Sequence, residues 1–385
     1  MTMNLDPIYL DHNATTPLLP EVLEAMLPFL STHFGNASSS HVYGQRTRDA
    51  VARARAQVAD LIGATPGEIV FTSGGIEVNN LAIRGVAQTV EGDRHIVTSV
   101  IEHPATDGPC TFLEAEGWCI TRLGVDADGR VRPDEADAAL SAGTALMTLM
   151  HANNETGVLQ PVAELAGLAR ARGILVHTDA AQSIGKVPVR VDDLGVDLLS
   201  LVGHKVYAPK GIGALYVRKG TPIKPLLLGS PGDLRSGTLN TPSIVALGTA
   251  CEIAGRDLAS ESARLLRMRD ELWGLLQAGI PGIRLHGHLT ERLPNTLNVG
   301  FPGVTGGALL EQATGIAAST GAACHAGQDH GSAVLLAMGL TNDQALGAVR
   351  LSLGKLVSEV QIPVVAEFLV KAWERIGGNC YPPRK

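Results

Sequence analysis

Apolar residues along this chain follow two patterns. In residues 44–62 they recur at helical spacing, with Val51, Ala54, Val58, Leu61 and Ile62 on one face and arginines elsewhere. Gly63 follows as a stop signal. Beyond it come short continuous apolar runs: Glu68–Thr72, His95–Val100, Ala145–Met150, Ile174–His177, Leu198–Val202 and Gly213–Val217. They end in polar or glycine-rich turns, and several lead into helical stretches. Continuous apolar strands alternating with helices predict a parallel α/β sheet covered on both faces. In such sheets ligands bind beyond the carboxyl ends of the strands, and the polar clusters of this chain lie there.

The pattern changes near residue 250. A long helical stretch, Cys251 to Ala278, leads to Pro281-Gly282. Asn295–Phe301, Ile316–Ala318 and Ala348–Leu353 read as strands of a smaller sheet, and residues 356–376 read as a closing helix. The expected organisation is a large domain over residues 15–250 and a smaller α+β domain over 1–14 and 251–385.

Composition narrows the function classes. The chain has 385 residues, long enough for a sizeable core and more than one domain. The net charge is -7 and no long run of Lys or Arg is present, which disfavours direct nucleic-acid binding. No apolar run is long enough to span a bilayer, and Met1–Leu10 lacks a signal-like core. The cysteines, Cys110, Cys119, Cys251, Cys324 and Cys380, are scattered, without a Cys-x-x-Cys pair. That argues against a disulfide framework or structural zinc and suits a reducing cytoplasm.

Six polar clusters carry candidate chemistry. Thr72-Ser73-Gly74-Gly75-Ile76-Glu77 joins a strand to a helix, where small residues let backbone amides face an anion; an ordinary turn fits as well. In Ser99-Val100-Ile101-Glu102-His103, the histidine is a ligand or a cap. His151-Ala152-Asn153-Asn154-Glu155-Thr156-Gly157 offers neutral donors, or a plain turn. The segment His177-Thr178-Asp179-Ala180-Ala181-Gln182 precedes Gly203-His204-Lys205. A lysine after one apolar run and an aspartate after an earlier one suggest a pyridoxal phosphate site. The amine would bond the cofactor aldehyde, and the carboxylate would hold the ring nitrogen protonated. Lys205 alone is equally an ordinary surface lysine. The last cluster, Ser319-Thr320-Gly321-Ala322-Ala323-Cys324-His325, holds a cysteine that is a reactive or an inert thiol. Arg350, alone in an apolar strand, calls for a carboxylate partner, from the substrate or from the protein.

Taken in order, these segments resemble the class I (NifS/IscS-type) cysteine desulfurases, relatives of the selenocysteine lyases. The resemblance runs from Tyr9-Leu10-Asp11-His12-Asn13-Ala14-Thr15-Thr16-Pro17 to about Leu353. It implies a pyridoxal phosphate enzyme of fold type I, with a mainly parallel seven-stranded sheet in the large domain. At matching positions it implies Lys205 as the Schiff-base lysine and Asp179 as the partner of the ring nitrogen. Gln182 would meet the phenolic oxygen, and His103 would stack on the ring and move protons. Gly75, Ile76 and His204 would hold the phosphate, joined by Thr238 from the other subunit of a homodimer. Asn13, Asn154 and Arg350 would hold the substrate L-cysteine, with Asn154 also near the cofactor. Cys324 would take the sulfur and pass it to an acceptor protein.

Ile76 and Val202 stand where many relatives carry hydroxyl residues. Each lost neutral hydrogen bond would weaken phosphate binding by about 0.5–1.5 kcal/mol. The segment Leu228–Leu234 is shorter than the family's, which bears on the subunit contact near Thr238. Rival readings are a selenocysteine lyase, an aminotransferase indifferent to Cys324, and a catalytically weak scaffold of the same fold that binds a partner.

Overall fold

The computed structural model describes residues 6–230, 232–321 and 330–377. Cys324, His325 and Cys380 lie outside the described residues. The elements in order are β1 (Ile8–Tyr9), α1 (Pro20–Ser31), α2 (Val42–Ile62), β2 (Ile69–Thr72), α3 (Gly75–Ala87), β3 (His95–Ser99), α4 (Pro104–Ala115), β4 (Cys119–Leu123) and α5 (Pro133–Ala139). Then come β5 (Thr144–Met150), α6 (Val162–Arg170), β6 (Leu175–Asp179), α7 (Val191–Leu194), β7 (Leu198–Val202), β8 (Gly213–Val217) and α8 (Thr241–Gly279). The chain continues through β9 (Arg284–Leu285), β10 (Thr296–Gly300), α9 (Gly306–Gln312), β11 (Ile316–Ala317), α10 (Ala333–Ala337), α11 (Asn342–Leu346), β12 (Ala348–Ser352) and α12 (Ile362–Arg375).

Seven strands form the main sheet, in the order β2-β8-β7-β6-β5-β3-β4. The run from β4 to β7 is parallel, and β8 is antiparallel to both its neighbours. Adjacent residues on one strand serve opposite faces. Met147 and Leu199 pack with α2 and the first half of α8, whereas Leu146 and Leu198 pack with α3 and Trp118. This two-sided burial is why these strands read as unbroken apolar runs. Because β2, β3, β5, β6 and β7 point the same way, the polar clusters that follow them meet at one edge of the sheet.

The predicted helix over residues 44–62 forms as α2, and Gly63 closes it in a left-handed conformation (φ 70°). α8 starts ten residues before the predicted Cys251, at Thr241. Asn240 caps it by accepting from the Ser243 N–H, and proline stands in its first turn. Residues Ile244–Ile253 of α8 pack in the first core, and Leu265–Leu276 in a second.

The second core is built on the antiparallel sheet β12-β10-β9. Leu297, Val299, Val349 and Leu351 pack there against α8 and α12. The stretch Ile316–Ala318, expected as a strand of this sheet, pairs instead with β1 in a separate parallel ladder. Ser319, just beyond it, forms an isolated bridge to Arg350. β4 escaped the sequence pattern because it is an edge strand, with Arg122 turned outward to Asp107 and Glu114. No helix among the described residues is long and apolar enough to cross a membrane.

The N-terminal segment joins the two cores. Leu10 is fully buried in the second, and His12 packs so tightly on Gly354 that a Cβ there would lie 2.0 Å from the ring. Gly354→Ala should therefore lower stability by about 1–3 kcal/mol, the usual cost of overpacking. Chemical denaturation of the purified variant measures it.

Candidate active site

Lys205 lies in a short 3-10 turn directly after β7. Its Nζ donates to the carbonyls of Asn13 (2.5 Å) and Ala14 (2.7 Å). Burial, then the nearby Arg350 charge, lowers its pKa to about 8, while Asp179 and Asp11 pull the other way. Asp179 ends the neighbouring strand β6. Its Oδ2 accepts from Asn79 Nδ2 (2.7 Å) and its Oδ1 from the Ala181 N–H (2.9 Å). Lys205 and Asp179 are thus brought to the same edge of the sheet by adjacent parallel strands.

His103 caps α4, with Nδ1 accepting from the Ala105 N–H at 3.0 Å. That bond leaves the ring proton on Nε2. The ring is solvent-exposed, yet the surrounding protein and then Lys205 depress its basicity against the pull of Asp179. Gln182 is buried, with Nε2 donating to the Asn13 carbonyl (3.0 Å) and Oε1 accepting from Lys186 (3.4 Å). His204 meets Thr15 Oγ1 through Nδ1 (3.2 Å), and burial with Lys205 lowers its pKa to about 4.

The phosphate candidates sit at the N-terminus of α3. Gly74 adopts φ 136°, which lets the chain turn sharply into the helix. A Cβ at Gly75 would already meet Val202 Cγ2 at 3.3 Å, so a side chain there would crowd the turn. Ile76 points outward, 62% exposed. Thr238 is exposed in a segment anchored to α3 by the Arg235–Glu77 ion pair (3.0 Å). Among the described residues, no hydrogen bond or ion pair links Thr238 to Lys205.

The substrate candidates are more committed than the sequence implied. The Asn13 side chain donates to Thr296 Oγ1 (2.9 Å) and Asn154 O (3.3 Å), and accepts from Asn295 (3.1 Å). It is the main-chain carbonyl of Asn13 that faces Lys205. Arg350 pairs with Asp11 (2.6 Å) and donates to Asn154 O (3.0 Å), so its partner here comes from the protein. Its Nε is buried without an acceptor, which leaves a donor for a further anion.

Several residues at the site were not singled out from sequence. Asp11 lay inside a recognised run but carried no role. Asn79 is fully buried on the face of α3 that also carries Ile83 and Val86, and a polar residue on a buried helical face was the available signal. Lys186 is buried and donates to Gln182 O at 2.8 Å; burial, Lys205 and Arg350 lower its pKa to about 7. Glu102 accepts from Ser99 Oγ (2.7 Å) and the Met150 N–H (3.0 Å), and its enclosed carboxyl is pushed up to about 8 by burial.

Comparison with known proteins identifies this arrangement. The model of the aminotransferase class-V family matches residues 8–364. The chain belongs to that family. It is 44% identical over 373 residues to a cysteine desulfurase of Trichormus azollae, covering 96% of this chain and 93% of the relative. A solved NifS-like protein superposes with a TM-score of 0.90 at 35% identity, covering 96% of this chain and all of that one. A solved SspA in complex with cysteine gives 0.80 at 37% identity, covering 90% and 98%.

Class-V enzymes and cysteine desulfurases depend on pyridoxal phosphate. The residues present fit that group. A lysine of lowered basicity and an aspartate held by two N–H donors both act electrostatically on His103, whose Nδ1 is taken by a main-chain N–H. A glycine turn with unpaired first-turn amides lies at the same edge of the sheet.

Two pH effects are expected. Uptake of pyridoxal phosphate by cofactor-free protein needs the neutral Lys205 amine. Its rate should rise with pH and level off above about 8, instead of climbing to the ordinary lysine range. Stopped-flow absorbance reads this. Glu102 has a folded-state pKa above its unfolded one, so ionising it costs the folded state. From the usual carboxylate range up to about 8, the wild type should lose stability relative to Glu102→Gln. Denaturation of both proteins at pH 5 and 8.5 checks the sign.

Proposed function

We propose that this protein is a pyridoxal-phosphate-dependent cysteine desulfurase. It converts L-cysteine to L-alanine and moves the sulfur to Cys324 and then to an acceptor protein. The Lys205–Asp179–His103 constellation, in a chain 44% identical to named cysteine desulfurases over 96% of its length, carries this reading.

The bound cofactor supplies an electron sink for the substrate's α-carbon electrons. The chain's own residues do the rest. Lys205 would hold the cofactor through Nζ, and its neutral amine would accept the substrate's α-proton. A pKa near 8 keeps a useful fraction neutral close to working pH. Asp179, oriented by Asn79 and Ala181, holds the ring-nitrogen proton. Gln182 would offer its second Nε2–H to the phenolic oxygen, and His103 would cover the ring. The amides of Gly75 and Ile76, with His204, hold the phosphate, and Thr238 joins them from a second subunit. Arg350, with Asn154, takes the substrate carboxylate. The Cys324 thiolate attacks the substrate sulfur; a sulfur–sulfur bond forms as the carbon–sulfur bond breaks, and the carbon keeps the electron pair and takes up a proton on the way to alanine.

A homodimer is part of the proposal. Leu23, Leu27 and Leu30 form an exposed apolar stripe on α1, and Phe34 and Leu228 are 70% and 86% exposed. We also propose the division into a large cofactor domain and a smaller one, with α8 between them. A cytoplasmic setting suits a catalytic free thiol.

Selenocysteine is the competing substrate, and the ratio of turnover on the two amino acids separates a desulfurase from a lyase. Cys324→Ser should retain the visible cofactor band while losing sulfide release from cysteine under reductant. Lys205→Ala should lose the borohydride-reducible band itself. Undiminished sulfide from Cys324→Ser would remove the thiol from the mechanism.

A further inference from the structure

We propose that Lys186 is a positioning residue that fixes the side-chain amide of Gln182. Gln182 then presents one N–H to the Asn13 carbonyl and keeps the other for the cofactor's phenolic oxygen. The inference rests on the reading of Gln182 as the partner of that oxygen.

Lys186 lies in the turn that follows β6, and only 7% of its surface is exposed. Its main-chain N–H donates to the Ser183 carbonyl (3.0 Å), which winds the turn. Its Nζ returns to Gln182, donating to the main-chain oxygen at 2.8 Å and, over a longer 3.4 Å, to the side-chain Oε1. Among the described residues no carboxylate pairs with it. The acids that line a cavity beside it are committed elsewhere, Asp257 to Lys355 (2.6 Å) and Glu261 to Arg264 (2.7 Å). Lys205 and Arg350 bring further positive charge, while burial disfavours the charged forms of His12 and Tyr207. A buried amine without an ion partner is unfavourable unless its N–H groups are used. Here they are spent on one residue.

Gln182 stands between two groups of opposite kind. The Asn13 carbonyl can only accept, and it takes Nε2–H at 3.0 Å. Lys186 gives its N–H to Oε1. Reversing the amide would set Oε1 against a carbonyl oxygen and turn the NH2 group toward another donor. The observed orientation leaves one Nε2–H unspent. The Asn13 carbonyl also accepts from Lys205 Nζ (2.5 Å), so the amide is held beside that lysine. Burial, then Lys205 and Arg350, lowers the Lys186 pKa to about 7. Loss of its proton does not free Gln182, because a neutral amine still has two N–H groups, one for each Gln182 oxygen.

A donor on the phenolic oxygen favours the state in which that oxygen carries most charge. That is the state without a proton on the Lys205 nitrogen. By holding Gln182, Lys186 helps to set the pH at which this nitrogen gives up its proton in the loaded protein.

The test uses the full-length holoenzyme. Its readout is the pH midpoint of the visible cofactor band, which reports the proton on the Lys205 nitrogen without turnover. Lys186→Met, Gln182→Ala, the double variant and Lys186→Arg are titrated beside the wild type. Gln182→Ala and Lys186→Met should each raise the midpoint by about 0.5 pH unit or more. In the Gln182→Ala background, Lys186→Met should add less than about a third of its own shift, because it acts through the amide. Lys186→Arg keeps the donors and should stay nearer to the wild type than Lys186→Met. If Lys186→Met does not fold, Lys186→Leu is titrated in its place. Equal shifts from Lys186→Met in both backgrounds overturn the proposal, since the amine then acts directly by its charge. An unmoved midpoint in Lys186→Met, with Gln182→Ala shifted, overturns it as well. An unmoved midpoint in Gln182→Ala overturns the reading of Gln182, and the role of Lys186 with it.

Discussion

The site depends on one main-chain oxygen. The carbonyl of Asn13 accepts from both Gln182 Nε2 and Lys205 Nζ, using both lone pairs. Its position is set by the rest of the residue. The N–H donates to Ser352 Oγ (3.0 Å), and the side chain is shared among Thr296, Asn295 and Asn154. These partners come from β10, β12 and the turn after β5, all far away in sequence. A residue near the start of the chain therefore finds its place only when strands near the end have formed. Such non-local closure is paid in loop entropy before any contact rewards it.

Around that oxygen the electrostatics are cationic, although the protein carries a net charge of -7. Beyond the effect of burial, Lys205 and Arg350 lower the basicity of Lys186, and Arg350 lowers that of Lys205. Asp179 and Asp11 balance part of this charge, and each is committed to a specific donor. Both ligands of the proposed reaction are anionic, one through a phosphate and one through a carboxylate. A concentration of positive charge is thus what the site offers them. Burial first, and then the Arg350 charge, keep Lys205 a weaker base, so part of the binding charge also serves the proton chemistry.

Much of this was legible in the chain. The buried strands β7 and β8 were read to the residue, because two-sided burial writes a continuous apolar run with a polar end. Asp179 and Lys205 stood at such ends and could be paired. What failed to show was of three kinds. The edge strand β4 carries Arg122 outward and reads as polar. β11 finds its partner in two residues of β1, a pairing that no local pattern records. The roles of Asp11, Asn79 and Asn13 arise from contacts across 100 residues or more, so their identities were visible while their partners were not.

α8 runs through 39 residues without a break. At 1.5 Å per residue it is roughly 58 Å long, longer than either core needs. Its first half is covered by one hydrophobic cluster and its second half by the other. A helix of that length in water has little stability of its own, so each half is held by the core it enters. Melting of either core would therefore unravel a beam on which the other rests. The two cores share a common fate in unfolding, and a species with one core melted and the other intact is disfavoured.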